Sequence, residues 1–231
     1  MANKLLLLDL DGTVRRCKSN HDTFINEPKD QELIPGVVDA LNKYVAEGWA
    51  IFGITNQGGV MHKHKTLKAC IDEQRYTLKL APQIDRIYFC PDSGDTCYRV
   101  SRPLWAPKLF TVNRIDGGAG DDPRYFLGGF RKPQPGMLRL AMNEFTNNLI
   151  VELLDATEML EPKLQMAIAR DELGDNQLMP ILCVGDMDTD KQAAATAEVE
   201  FMWAHDWRGD SDESLKNIRQ RQMESLERDR P

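Results

Sequence analysis

The sequence predicts an α/β fold, a mostly parallel sheet with helices on both faces. Two observations carry that prediction. Apolar runs of strand length recur along the chain, and stretches of helical periodicity lie between them. The first run also contains four consecutive leucines, Leu5–Leu8, which reads as a strand buried on both sides.

The strand-like runs are Lys4–Leu8, Ala50–Thr55, Ile84–Cys90 and Ile181–Gly185. After the first, Pro35–Gly48 places Val37, Val38, Leu41, Tyr44 and Val45 on one helical face, with Gly48 as the stop. His62–Leu80 reads as helix with Leu67, Ile71 and Leu78 inward, and Pro135–Phe145 groups Met137, Leu138, Ala141, Met142 and Phe145. Two stretches break the alternation. Val100–Phe130 holds several Gly and Pro residues and has weak periodicity, so a loop-rich insertion is expected over about residues 99–130. Glu152–Leu178 reads as extra helix, an added segment of about 152–178, with Pro162 near a start and Gly174 at an end. One domain is therefore expected over 1–209. Residues 210–231 read as a charged C-terminal helix or tail with a thin stripe of Leu215, Ile218 and Leu226.

At 231 residues and 42% hydrophobic, the chain can bury one sizeable core. Its net charge of -7 gives an acidic surface that repels nucleic acid and anionic membranes, so any polyanion site must be local. The five cysteines are odd in number and widely spaced, and no leader precedes them, which points to reduced thiols in the cytoplasm. No run approaches the roughly 18 apolar residues of a membrane span.

The chemistry gathers where the strands end. The leucine run drives straight into Asp9 and Asp11 of "DLDGT", with Gly12 permitting a tight turn and Thr13 adding a hydroxyl. Alone, such a carboxylate pair is usually a solvated turn or an N-cap. Here the other strand ends repeat the theme. "GITNQGG" brings Thr55 and Asn56, "VGDMDTD" brings Asp186, Asp188 and Asp190, and the loop "FRKPQPGM" adds Arg131 and Lys132. Ligands of open parallel sheets bind just beyond the carboxyl ends of the strands.

These four motifs together resemble the haloacid dehalogenase superfamily of phosphohydrolases. The texture of "INEPKDQELIPGVVDAL", "ITNQGG" and "RKPQPGM" is most similar to the subclass without a large cap, which holds histidinol-phosphate and heptose-bisphosphate phosphatases and the polynucleotide kinase 3'-phosphatase domain. The resemblance implies a Rossmann-like sheet and a Mg²⁺-dependent phosphomonoesterase. It implies Asp9 as the nucleophile and Asp11 as the acid and base. The metal ligands would be Asp9, the backbone carbonyl of Asp11, and Asp186, with Asp190 behind them as a further acidic anchor. Thr55, Asn56 and Lys132 would bind the phosphoryl group, and Lys132 would hold the nucleophile.

Departures from the subclass matter too. Its zinc loop would need a histidine and a second cysteine pair, but the chain reads Cys90-Pro91-Asp92 and has Gly128, Gly129 and Phe130 before Arg131. Cys90 and Cys97 are left without partners, so no structural zinc is expected. "MHKHKTLK", at Met61–Lys68, reads as a solvated basic face or a rim of the site, and His62 and His64 do not share a helix face. Trp105, Trp203 and Trp207 read as core or lid packing. From Arg99 to Lys132 there are seven basic and three acidic residues, an excess of four in an acidic chain. That segment is expected to border the mouth of the site, with Arg131 innermost and gripping the substrate. The expected substrate is a small phosphorylated metabolite. The competing readings are a polynucleotide 3'-phosphatase, for which nucleic acid would be the partner, and a phosphate-binding module without catalysis.

Overall fold

The computed structural model describes residues 2–22, 24–25, 27–102, 110–116, 129–156 and 179–210, and side chains within them up to 149 and from 179. Parts of the expected insertion, most of the extra helical segment and nearly all of the tail lie outside the described residues.

The parallel part of the sheet is built around β1 (Lys4–Leu8). It pairs with β4 (Trp49–Asn56) on one side and β8 (Ile181–Gly185) on the other. Beyond them, β5 (Arg86–Cys90) pairs parallel with β4, and β9 (Glu200–Trp203) with β8. The sheet is extended antiparallel by β6 (Thr96–Ser101) and β7 (Thr111–Asp116), giving the order β7-β6-β5-β4-β1-β8-β9. The chain leaves β1 in both directions across the sheet, so β1 is the switch point, where a crevice opens at the strand ends.

The leucine run is explained by burial on both faces. Leu6 and Leu8 join one core layer and Leu5 and Leu7 the other, and all four are fully buried. The first layer is closed by α1 (Val37–Ala46), α2 (Leu67–Leu80) and α5 (Ala204–Arg208), and the second by α3 (Gly136–Ala156) and α4 (Asp188–Thr196). Each of the four apolar runs holds a strand, the third starting at Arg86 and not at Ile84, and Met137, Leu138, Ala141 and Phe145 of α3 are buried as expected.

Several elements differ from expectation. On α1, Val37, Ala40 and Leu41 are buried, but Val38 and Val45 are each 47% exposed. They sit about 80–100° around the helix from Val37, past the edge of the packed stripe. Helix α2 begins at Leu67 and not at His62, because the Thr66 hydroxyl caps it by accepting from Ala69 N at 3.1 Å. Upstream, His62 N and His64 N bond back to the carbonyls of Gly58 and Gly59 in a wound loop. Thr111–Asp116, inside the stretch read as loop-rich, is an edge strand with no buried residue, so burial imposed no apolar pattern on it. Two strands of only three residues, β2 (Arg15–Cys17) and β3 (Gln31–Leu33), form a small ribbon after the first motif. No helix among the described residues is long and apolar enough to cross a membrane.

Candidate active site

Asp9 leaves β1 hydrogen-bonded to its neighbour strand, its N–H donating to Val184 O at 2.9 Å. The chain then turns through Gly12, whose φ of 92° is left-handed and favours glycine. Arg208, from α5, braces that turn by donating to the carbonyls of Gly12 (3.2 Å) and Thr13 (2.8 Å), and Asp210 holds the guanidinium from the other side at 2.7 Å. Thr13 in turn lies 3.5 Å from Asp186 Oδ1.

Lys132 reaches the same point from the loop before α3. Its ammonium has three protons and three acceptors: Asp9 Oδ1 at 2.6 Å, Asp190 Oδ1 at 2.5 Å and Ile54 O at 3.0 Å. Burial works against its charge, but Asp9 and Asp190 outweigh burial and hold the ammonium well above the ordinary lysine range. Asp190 enters under the end of β8, and its other oxygen accepts from Met187 N at 3.1 Å. Gly185 makes the space, since a Cβ there would fall on the side chain of Asp190.

Asp9 Oδ2 is buried without a hydrogen-bond partner. The acidic oxygens of Asp9, Asp186 and Asp190 lie within 4.8 Å of one another. Burial raises the Asp9 carboxyl well above its usual range, with Lys132 opposing and Asp190 and Asp186 adding to the rise. Asp186 is pushed up to about 7, by burial first and then by Asp190. Three carboxylates against one ammonium leave negative charge uncompensated. Asp9 and Asp186 offer an all-oxygen donor set, which fits a hard divalent cation such as Mg²⁺. Asp190 fits it less well, because both its oxygens are already engaged.

Asp11 points elsewhere. Its Oδ1 accepts from Arg15 Nε at 2.8 Å, and its Oδ2 from Gln57 Nε2 at 2.7 Å and from the Thr55 hydroxyl at 3.2 Å. Of the groups expected on phosphate, Thr55 is thus next to Asp11, at the strand end. Asn56 is used differently. Its amide donates to Lys132 O at 2.9 Å and accepts from Lys132 N at 3.0 Å. Both of its ends are spent on that peptide, so it seats Lys132 and does not reach for phosphate. Arg131 lies across Gly58, where a Cβ would meet its guanidinium at 2.9 Å, and donates to Asp92 O at 3.4 Å. Arg15, Gln57 and Arg208 were missed in the sequence. The one available signal was Arg15, a cation four residues after Asp11.

Of the described basic residues from Arg99 to Lys132, Arg131 and Lys132 reach the site, and Arg99, Arg102 and Arg114 do not. Arg102 donates to the carbonyls of Leu78 (2.7 Å), Pro82 and Ile84 (3.2 Å each). Antiparallel pairing sets Ser101 opposite Arg86, at the start of β5, so Arg102 lies at the end of the sheet away from Asn56. Arg99 pairs with Glu144 at 2.5 Å and Arg114 with Asp116 at 2.8 Å. Lys108, Arg124 and Trp105 lie outside the described residues. Trp207 is core, and Trp203 packs edge-on against Phe201. Cys90 and Cys97 are buried in the second core layer, and burial pushes the Cys90 thiol up to about 12. Asp92, where a zinc-loop histidine would stand, accepts from Gly94 N (2.9 Å), Asp95 N (3.1 Å) and Thr96 N (3.2 Å), closing a tight turn.

Comparison with known proteins sets the chain among phosphatases. The profile of the family described as polynucleotide kinase 3 phosphatase matches residues 4–157. The D-glycero-beta-D-manno-heptose-1,7-bisphosphate 7-phosphatase of Bordetella bronchiseptica is 29% identical over 105 residues, 44% of this chain and 57% of the relative. The protein of the same name from Pseudomonas putida is 27% identical over 149 residues, 59% of this chain and 61% of the relative. The chain thus spans about three-fifths of the length of these relatives. A solved D,D-heptose 1,7-bisphosphate phosphatase from B. bronchiseptica, complexed with magnesium and phosphate, overlays with a TM-score of 0.45 at 22% identity, over 86% of this chain and 78% of that chain. A likeness that loose carries no argument about this site. The family match ends before Asp186 and Asp190, which the fold alone brings to Asp9 and Lys132.

Proposed function

The chain belongs to the polynucleotide kinase 3 phosphatase family, within the haloacid dehalogenase superfamily, and on that premise we propose that it hydrolyses phosphomonoesters through a covalent intermediate on Asp9. One observation carries the reading. Asp9 has one oxygen gripped by Lys132 and the other buried and unpartnered, and its carboxylate lies close to that of Asp186. A carboxylate held at one oxygen and free at the other is aimed as a nucleophile.

In this mechanism Asp9 Oδ2 attacks phosphorus and the bond to the leaving oxygen breaks. Asp11 gives that oxygen its proton. Water then attacks the phosphoryl group, Asp11 takes a proton from the water, the bond to Oδ2 breaks and inorganic phosphate departs. Lys132 offsets charge on the phosphoryl oxygens and keeps Asp9 in register, while Thr55 offers a hydroxyl nearby. Asp9, Asp186 and the Asp11 carbonyl would hold Mg²⁺, which when bound neutralises the carboxylates and draws in the phosphate dianion. Residues 1–209 would act as one catalytic unit. Five buried free thiols support a reducing compartment such as the cytoplasm.

The names of the relatives support a phosphorylated sugar or similar metabolite as substrate, with Arg131 at the rim reading the rest of it. A second reading, hydrolysis of a polynucleotide 3'-phosphate, is favoured by the family description and by the Asp92 turn in place of a zinc loop. Release of phosphate from sugar phosphates, histidinol phosphate, nucleotides and 3'-phosphorylated oligonucleotides, compared as kcat/KM, separates them. Preference of at least about tenfold for the oligonucleotide would reject the metabolite reading, and no turnover of any ester with Mg²⁺ present would reject the phosphatase.

A further inference from the structure

Helix α2 buries the wrong kind of residue. Its interior positions include Glu73, Gln74 and Thr77, each fully buried, beside Cys70 and Leu78. A buried charge is costly unless it is paired and hydrogen-bonded, and well-packed apolar side chains often serve stability as well or better. What Glu73 touches gives it another use. Its Oε1 accepts from Arg15 at 2.6 Å, and Arg15 Nε donates to Asp11 Oδ1 at 2.8 Å. Its Oε2 accepts from Lys65 Nζ at 2.6 Å, Lys65 donates to Gln57 Oε1 at 2.8 Å, and Gln57 Nε2 donates to Asp11 Oδ2 at 2.7 Å. Together these side chains close a ring.

Each link is directional. An ammonium has donors only, so Lys65 forces the Gln57 amide to turn its oxygen outward and its nitrogen to Asp11. Arg15 is itself locked by Thr77 and by Gln31, from β3, with no exposed surface. Lys65 also donates to Ile25 O at 2.8 Å, so the same ammonium ties the loop between β2 and β3 to the ring.

We propose that Glu73 is the positioning residue for Asp11, one buried carboxylate that orients both oxygens of the acid–base group through two separate chains. This rests on the reading of Asp11 as the group that protonates the leaving alcohol. A loosened Asp11 should harm poor leaving groups far more than good ones. Glycerol 3-phosphate has an alcohol that needs the proton, whereas the phenolate of p-nitrophenyl phosphate does not. The quantity to compare is kcat/KM, which covers the steps up to departure of the leaving group and excludes the later attack of water.

For Glu73→Gln, kcat/KM with glycerol 3-phosphate should fall about 10²-fold, the lower end of what acid–base help contributes. The fall with p-nitrophenyl phosphate should be at least about tenfold smaller. Lys65→Met opens one chain only and should give a weaker loss with the same selectivity. Should Glu73→Gln fail to fold, Lys65→Met carries the test, since its side chain lies at the edge of the ring with 8% exposure. In an Asp11→Asn background, adding Glu73→Gln should leave the ratio of the two esters unchanged, because coupled groups do not add. Equal losses on both esters, or none, would make the ring structural only and overturn the proposal while leaving the function standing. Should the wild type hydrolyse neither ester, the alkyl and the aryl phosphate it turns over best take their places, and no turnover of any ester would overturn the function and this inference together.

Discussion

Asp9 and Lys132 show how much of the site is electrostatic tension. Three carboxylates share one ammonium, and burial raises Asp9 well above its usual range. Asp9→Asn keeps the shape and removes one negative charge. We expect kcat to fall by more than about 10³-fold, because loss of a single stabilising donor already costs about 10²–10³ and this change removes the proposed nucleophile. The metal-free variant should nonetheless melt no lower than wild type, since a neutral amide at this position relieves repulsion from Asp186 and Asp190 and leaves Lys132 its partner Asp190. Activity above a tenth of wild type would rule out the covalent route. The same tension predicts a metal response. At about 100 times its dissociation constant, Mg²⁺ adds about 2.7 kcal/mol, or roughly 5–10 °C in Tm for a chain of this size. A melting curve should show that rise, EDTA should cancel it, and Asp186→Asn should abolish it. A Tm indifferent to Mg²⁺ in the wild type would reject Asp9 and Asp186 as ligands.

At the scale of elements, the junction of β8 with α4 is built around a missing side chain. Gly185 ends the strand, and Asp190 folds back into the space that a Cβ would fill. Gly185→Ala must push Asp190 aside, and with it one of the two carboxylates that hold Lys132. Overpacking of this kind typically costs about 1–3 kcal/mol. The expected outcome is a Tm lower by roughly 2–12 °C together with a kcat loss of at least about tenfold, as Lys132 loses its anchor. A variant that melts lower but turns over normally would show that Asp190 steadies the fold and not Lys132. Helix α2 makes a related point. Its apolar positions predicted a helix and its Thr66 cap is local, but the polar face carrying Glu73 answers to Lys65 and to Arg15, 58 positions away, which no local pattern links to it.

For the whole molecule, topology decides which charges can meet. The basic excess after Arg99 was expected at the mouth of the site, but β6 runs antiparallel and carries Arg102 to the opposite end of the sheet. There it satisfies three carbonyls around the end of α2 and the start of β5. Arg102→Ala should therefore destabilise by about 0.5–1.5 kcal/mol, the net worth of a typical hydrogen bond, and should not change KM for any phosphate ester. Arg131→Ala should do the reverse: little change in Tm, a several-fold rise in KM for the true substrate, and less effect on p-nitrophenyl phosphate. If Arg102→Ala raised KM as Arg131→Ala does, the assignment of these two ends of the sheet would be wrong.

The sequence alone determined the strand ends and their chemistry. Leu5–Leu8, Ala50–Thr55 and Ile181–Gly185 lie in the middle of the sheet, covered on both faces, and burial of that kind leaves an unbroken apolar run that can be read directly. The polar residues that stop each run are then conspicuous, which is why Asp9, Asp11, Thr55 and Asp186 could be picked out. The exposed strand β7 and the three-residue strands β2 and β3 leave no such trace, because no core selects a pattern of side chains along them. Only the tertiary structure decided the partners. Asn56 was assigned to phosphate and instead seats Lys132. Arg15, Gln57, Lys65 and Glu73 became one ring around Asp11, and Arg208 came to brace Gly12 from 196 positions away. Hydrogen bonds form between groups that folding brings within about 3 Å, and a one-dimensional pattern holds no record of that distance.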